Sequence, residues 1–92
     1  MFTVKIVNHN ENSTHLKSWS DVNVWSKGSE FFNEELAKQI GESDCDEEKA
    51  HMKEFYIAFI VSLDDEQSYC LTSHETAYIT DASGNTVQVV RA

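Results

Sequence analysis

Phe55-Tyr56-Ile57-Ala58-Phe59-Ile60-Val61-Ser62-Leu63 is the stretch on which the fold turns. With a period of two, Phe55, Ile57, Phe59, Val61 and Leu63 fall on one face and Tyr56, Ala58 and Ile60 on the other. A strand apolar on both faces needs cover on both sides, which predicts a central strand. C-terminal to it, Asp64-Asp65-Glu66 reads as a turn and Ser68 to Thr72 as a strand. Thr76–Thr80 and Thr86–Arg91 then flank Asp81-Ala82-Ser83-Gly84-Asn85, whose Gly and Asn tolerate positive φ, so the chain closes on a β-hairpin.

On the N-terminal side the period changes. Lys27-Gly28 punctuates, Ser29 is a good N-cap, Glu30 and Glu34 complement a helix N-terminus and Lys38 the opposite end. A helix is predicted over 30–40, with Gly41 able to supply a left-handed stop. Phe32, Leu36 and Ile40 form its buried stripe, whereas Phe31 points about 100° away, among Glu34, Glu35 and Lys38. Ser43 either caps a second short helix through Ala50 or His51 or opens a solvated loop. Further back, Phe2, Val4 and Ile6 alternate with Thr3 and Lys5 as a half-buried strand ended by the polar run from His9 to Ser13. Alternation resumes from Thr14 to Trp25, so either one face exposes tryptophan or Ser20-Asp21 breaks the strand. The fold class is α+β: a mainly antiparallel sheet with one helix, or two if Ser43 starts a second, packed on one face.

Ninety-two residues bury only about 60–65% of their unfolded surface, which points to one domain over 1–92 with one small core. The chain is too rich in Phe, Tyr and Trp for a disordered acidic tail. A net charge of −9 with seven Lys and Arg opposes direct nucleic-acid binding, because phosphates are held by neutralising them. The same charge steers encounter with a basic protein over a screening length of about 8–10 Å. No basic n-region with an apolar h-region opens the chain, and no apolar run approaches the roughly 20 residues that span a bilayer, so a soluble intracellular protein without membrane contact is expected. Cys45 and Cys70 are expected as free thiols, and Asn12-Ser13-Thr14 as a polar turn.

Chemistry-bearing groupings are absent from the sequence. There is no glycine-rich phosphate loop and no nucleophile elbow, His9, His15, His51 and His74 are scattered singly, and Cys45 with His51 matches no zinc spacing. A calcium loop starting at Asp44 would need Gly at residue 49 and Glu at residue 55, where Lys49 and Phe55 stand. Adjacent acids such as Asp64 and Asp65 are the ordinary content of a turn. No catalytic residue, metal ligand or cofactor is assigned, and the chain is read as a non-enzyme.

What the sequence offers is a charged stretch. Eight of the sixteen carboxylates, Glu30, Glu34, Glu35, Glu42, Asp44, Asp46, Glu47 and Glu48, lie within residues 30–48, with Lys38 as the one cation. If wholly helical, this stretch would carry about one charge per 3.5 Å, comparable to the 3.4 Å of one DNA strand. Glu30, Phe31, Glu34, Glu35, Glu42, Asp44, Asp46, Glu47 and Glu48 are therefore the candidate partner-binding residues. Phe31, Trp19 and Trp25 are either interface anchors or core. The bland alternative is that the acids keep a small protein soluble.

The closing segment Ala77-Tyr78-Ile79-Thr80-Asp81-Ala82-Ser83-Gly84-Asn85-Thr86-Val87-Gln88-Val89-Val90, with the opening strand pair and the capped acidic helix, resembles small early proteins of bacteriophages. It is most similar to the anti-CRISPR proteins directed against type I-F surveillance complexes. The resemblance implies a stoichiometric inhibitor in the host cytoplasm, docked on guide-RNA-loaded Cas proteins and blocking target DNA. The acidic stretch would then engage Lys and Arg that otherwise hold DNA phosphates. Two alternatives are a DNA mimic aimed at a restriction enzyme or nucleoid protein, and an assembly module that uses a sheet edge and its tryptophans.

Overall fold

The computed structural model describes residues 1–92. In chain order it forms β1 (Phe2–Asn8), β2 (Ser13–Trp19), β3 (Asn23–Ser26), α1 (Glu30–Gly41), α2 (Asp46–Phe55), β4 (Tyr56–Ser62), β5 (Gln67–Thr72), β6 (Glu75–Thr80) and β7 (Thr86–Val90). The strands make two antiparallel sheets, a four-stranded one in the order β2-β1-β6-β7 and a three-stranded one in the order β3-β4-β5. The class is α+β as expected, but the single sheet predicted from sequence is two.

The two-faced apolar strand explains the layering. β4 is central in its sheet, paired with β3 on one side and β5 on the other. Its Ala58 and Ile60 pack with Val4, Ile6, Trp19, Leu71, Ala77 and Ile79, so one face lies against the four-stranded sheet. Its Phe59 and Val61 pack with Phe32 and Leu36 of α1, so the other face is covered by the helix. Both faces of a strand this apolar leave water, which is the favourable term that places sheet, sheet and helix in layers.

The strand ends differ from the sequence reading. Phe55 closes α2 instead of opening β4, stacked on His51 one turn earlier at 4.8 Å. Leu63 lies in the turn after β4 and is exposed. The second helix exists and reaches Phe55, beyond the Ala50 or His51 expected, with Asp46, Glu47 and Glu48 in its first turn and Lys53 in its last to complement the helix dipole. Ser43 does not cap it: Cys45 holds the N-cap position, and the buried Ser43 hydroxyl has no hydrogen-bond partner. In α1, Ser29 caps as expected, its Oγ accepting from the Phe32 N–H at 3.2 Å. Gly41 is the last helical residue and lacks a positive φ; Glu42 and Ser43 end the helix by donating their N–H groups to Gln39 and Ile40, a tightened last turn.

The alternation from Thr14 to Trp25 is broken at Ser20-Asp21, so β2 and β3 enter different sheets. This is the first of two places where the chain crosses between sheets; the second is Ser73-His74, between β5 and β6. The first crossing is clasped reciprocally. Asp21 accepts from the Ser62 hydroxyl at 2.7 Å and from the N–H groups of Leu63 and Asp64, both at 3.0 Å, while Asp65 accepts from the N–H of Ser20 at 2.6 Å and from the hydroxyls of Ser20 and Ser62. The Ser62 hydroxyl bond, with the two N–H bonds, holds the Asp21 carboxyl below its ordinary value; the Ser20 N–H, then Ser62, does the same for Asp65. Carboxyls that titrate lower folded than unfolded contribute stability above the ordinary aspartate range and lose it as pH falls through the folded values. Asp21→Asn and Asp65→Asn are therefore expected to lower the urea midpoint near neutral pH, with the deficit shrinking toward about pH 3. A deficit of equal size at both pH values would exclude the carboxylate charge as its origin.

Candidate protein-binding surface

Seven of the eight carboxylates between Glu30 and Glu48 are exposed, and Glu35 is half-buried. They divide among three settings. Glu30, Glu34 and Glu35 ride on α1, whose buried stripe of Phe32 and Leu36 fixes its rotation against β4. Glu42 and Asp44 stand in the connection, and Asp46, Glu47 and Glu48 form the first turn of α2.

The fold brings only some of them together. Glu35, Glu42 and Glu48 line a cleft of about 440 Å³ between the helices, together with Lys38, Gln39, Ser43 and Met52. Lys38 supplies that cleft with its own cation. Glu30, Glu34, Asp44, Asp46 and Glu47 line no cleft and face solvent. The stretch is thus a broad acidic surface instead of a pocket, and no three Asp, Glu, His or Cys side chains are placed to hold one metal ion.

Its charge is separated from the rest of the molecule. From Glu30 to Phe55 there are nine carboxylates and three lysines, whereas the four strands of the larger sheet contain Glu75 as their single carboxylate, with Lys5 and Lys17. The excess of carboxylates over lysines on the helices gives that side a negative potential.

The three aromatics left open by the sequence sort cleanly. Trp19 is core, 1% exposed, with its indole N–H donating to Gln67 Oε1 at 2.9 Å. Phe31 is 58% exposed and stacks on the half-buried Trp25 with ring centroids 5.6 Å apart. Trp25 reaches Phe31 because β3 pairs with β4 and the chain then turns at Gly28, whose φ of +97° is open to glycine at little cost, into the Ser29 cap. An exposed ring stacked on a half-buried indole beside carboxylates has the make-up of an interface anchor with a polar rim.

Sequence reasoning missed one contributor and left another open. Glu66, in the turn between β4 and β5, joins Trp25, Glu35 and Leu63 around a cleft of about 270 Å³. Trp25 itself was visible only as an open question, although its spacing of six residues from Phe31 across a Gly turn was the available signal. A third cleft, of about 300 Å³, is lined by Phe32, Leu36 and Ile40 with Lys27 and Lys53. Cys45 is an exposed free thiol; Cys70 is half-buried beside Gln39, and burial pushes its thiol up from the ordinary value. No helix is long and apolar enough to cross a membrane.

No protein-family model, curated protein or solved structure matches this chain.

Proposed function

We propose that this chain is a non-enzymatic inhibitor that binds the basic surface of a nucleic-acid-handling protein complex through α1 and the first turn of α2. The target its resemblance implies is a guide-RNA-loaded type I-F surveillance complex, whose DNA-holding Lys and Arg it would cover. One observation carries the reading: the acidic stretch is presented to solvent on two helices, next to the exposed Phe31 ring stacked on the half-buried Trp25. Carboxylates alone would give rate and salt dependence; the aromatic pair adds apolar area that can hold a complex once formed.

The test is target-DNA binding by that loaded complex, titrated with the chain. Stoichiometric loss of DNA binding is expected, weakening steeply with salt. Reversing Glu34, Glu35, Asp46, Glu47 and Glu48 to Lys is expected to abolish it while circular dichroism stays unchanged, because the four exposed residues among them and the half-buried Glu35 carry none of the core. Unchanged inhibition by the reversed chain sinks the acidic-surface reading. No inhibition by the parent chain removes this target, and capture from host lysate at low and high salt, with the reversed chain as control, then identifies another basic partner.

A second reading, assembly through the larger sheet, is favoured by one cross-strand row. Leu16, Lys5, Tyr78 and Val89 are register neighbours across all four strands, and Leu16, Tyr78 and Val89 are exposed. Self-association seen by light scattering and insensitive to salt would favour it over the inhibitor.

A further inference from the structure

We propose that the cleft between β3, α1 and the β4–β5 turn receives one arginine side chain of the partner. This rests on the acidic-surface reading and names the group that the surface is shaped to take. Of the three clefts, the one between the helices contains Lys38 and the one beside Phe32 contains Lys27 and Lys53. The third contains no cation: its lining includes Trp25, Glu35, Leu63 and Glu66. One carboxylate comes from the helix and one from the turn, and the same lining holds the Trp25 indole and Val61, which is 4% exposed.

That combination discriminates among cations. A guanidinium is planar, stacks on an aromatic ring and spreads its donors in a fork, so it can engage an indole face and two carboxylates at once; an ammonium is a compact, strongly hydrated point charge. Leu63, 62% exposed at the rim, offers apolar surface to the methylene stem. A volume of about 270 Å³ is below the usual range for drug-sized ligands, which favours a side chain over a small-molecule ligand. The other polar groups of the lining carry no charge: the Ser62 hydroxyl is shared between Asp21 and Asp65, Gln67 Oε1 accepts from Trp19, and Ser68 is a neutral hydroxyl. Glu35 and Glu66 are the charges left to an incoming cation. Phe31, stacked on Trp25, holds the indole in place from the helix.

The probe is the capped tripeptide acetyl-Gly-Arg-Gly-amide, with its citrulline and lysine counterparts, titrated into the intact chain and followed by the Trp25 indole N–H resonance. A saturable shift with a dissociation constant on the order of 1 mM is expected for the arginine peptide, none for citrulline, and a weaker one for lysine. Glu66→Gln lies outside the acidic stretch and preserves the turn, and is expected to weaken arginine binding about tenfold, as is Glu35→Gln. Absence of a saturable Trp25 shift, or an equal response to citrulline or lysine, overturns the arginine site. Such a failure leaves the acidic surface to be judged separately, by whether charge reversal abolishes inhibition; binding to Glu66→Gln as tight as to the parent chain also overturns the site.

Discussion

Phe59→Ala is expected to cost about 3–5 kcal/mol, the range for deleting a buried phenylalanine. Phe59 is fully buried and joins the Phe32 ring of α1 at a centroid distance of 4.9 Å and Tyr56 at 6.2 Å. It is the principal side chain through which the smaller sheet holds α1, with Val61 and Leu36 completing the cluster. A chain of this length is expected to have about 5–14 kcal/mol in all, so the substitution removes a large share. Urea unfolding followed by circular dichroism should show the midpoint falling with an unchanged slope if α1 unfolds together with the sheets. A loss of helical signal before the sheet signal would instead mean that α1 detaches alone. A cost below about 1 kcal/mol would contradict the packing of α1 on β4. Leu16→Ser, at an exposed position on the far face of the larger sheet, is expected to stay within about 0.5 kcal/mol and serves as the control.

The second large effect is expected at Glu75, which sequence reasoning did not single out. Its carboxylate is 6% exposed and holds the second crossing between sheets: Oε1 accepts from the N–H of Thr72 at 3.1 Å and its hydroxyl at 2.8 Å, and Oε2 accepts from the Tyr69 hydroxyl. Glu75→Ala strands three donors, two of them on the residue just before the crossing. Unmade bonds of this kind cost about 1–3 kcal/mol each, and about 3–5 kcal/mol together is expected because the three are not independent. Tyr69→Phe leaves Glu75 its two Thr72 donors and is expected to cost about 1–2 kcal/mol. The double mutant should cost less than the sum of the two, and strict additivity would disprove the coupling.

Tyr69 also gives this crossing a pH dependence. Burial, and then the hydrogen bond to Glu75 and its negative charge, drive the phenol well above its ordinary value. A phenol whose folded value is raised contributes stability that is present below about pH 10 and lost as pH rises toward the folded value. Alkaline unfolding is therefore expected to set in later for Tyr69→Phe relative to its own neutral-pH stability than for the parent chain. An identical alkaline profile for the two would show that Tyr69 titrates as it does unfolded.

How much was legible follows from the range of each interaction. Ser29, Glu30, Lys38 and the stripe of Phe32 and Leu36 act within a few residues, and α1 could be read from them almost to the residue. The same holds for the closing hairpin around Gly84, whose positive φ of 87° matches the reading of that loop. The end of α2 was misplaced because Phe55 extends the alternation of β4 and also completes an i, i+4 pair with His51; only the neighbouring His74, edge-on to Phe55 at 4.8 Å, shows which environment it occupies. Seven of the eight acids in the stretch are exposed and Glu35 is half-buried. The partition of the stretch was hidden, because Glu35 meets Glu48 across one cleft and Glu66 across another, and neither partner lies within 12 residues of it.

By itself, the sequence determined the α+β class, the capped acidic helix and the central strand apolar on both faces, since each rests on periodicity or on contacts between near neighbours. The tertiary structure alone decided that the strands form two sheets, that Trp19 enters the core while Trp25 lines the surface, and that Glu66 joins Glu35 beside the indole. Those outcomes depend on which distant segments share a core. A two-faced strand such as β4 dictates only that both its faces be covered, and the covering elements are chosen by packing between residues far apart in the chain.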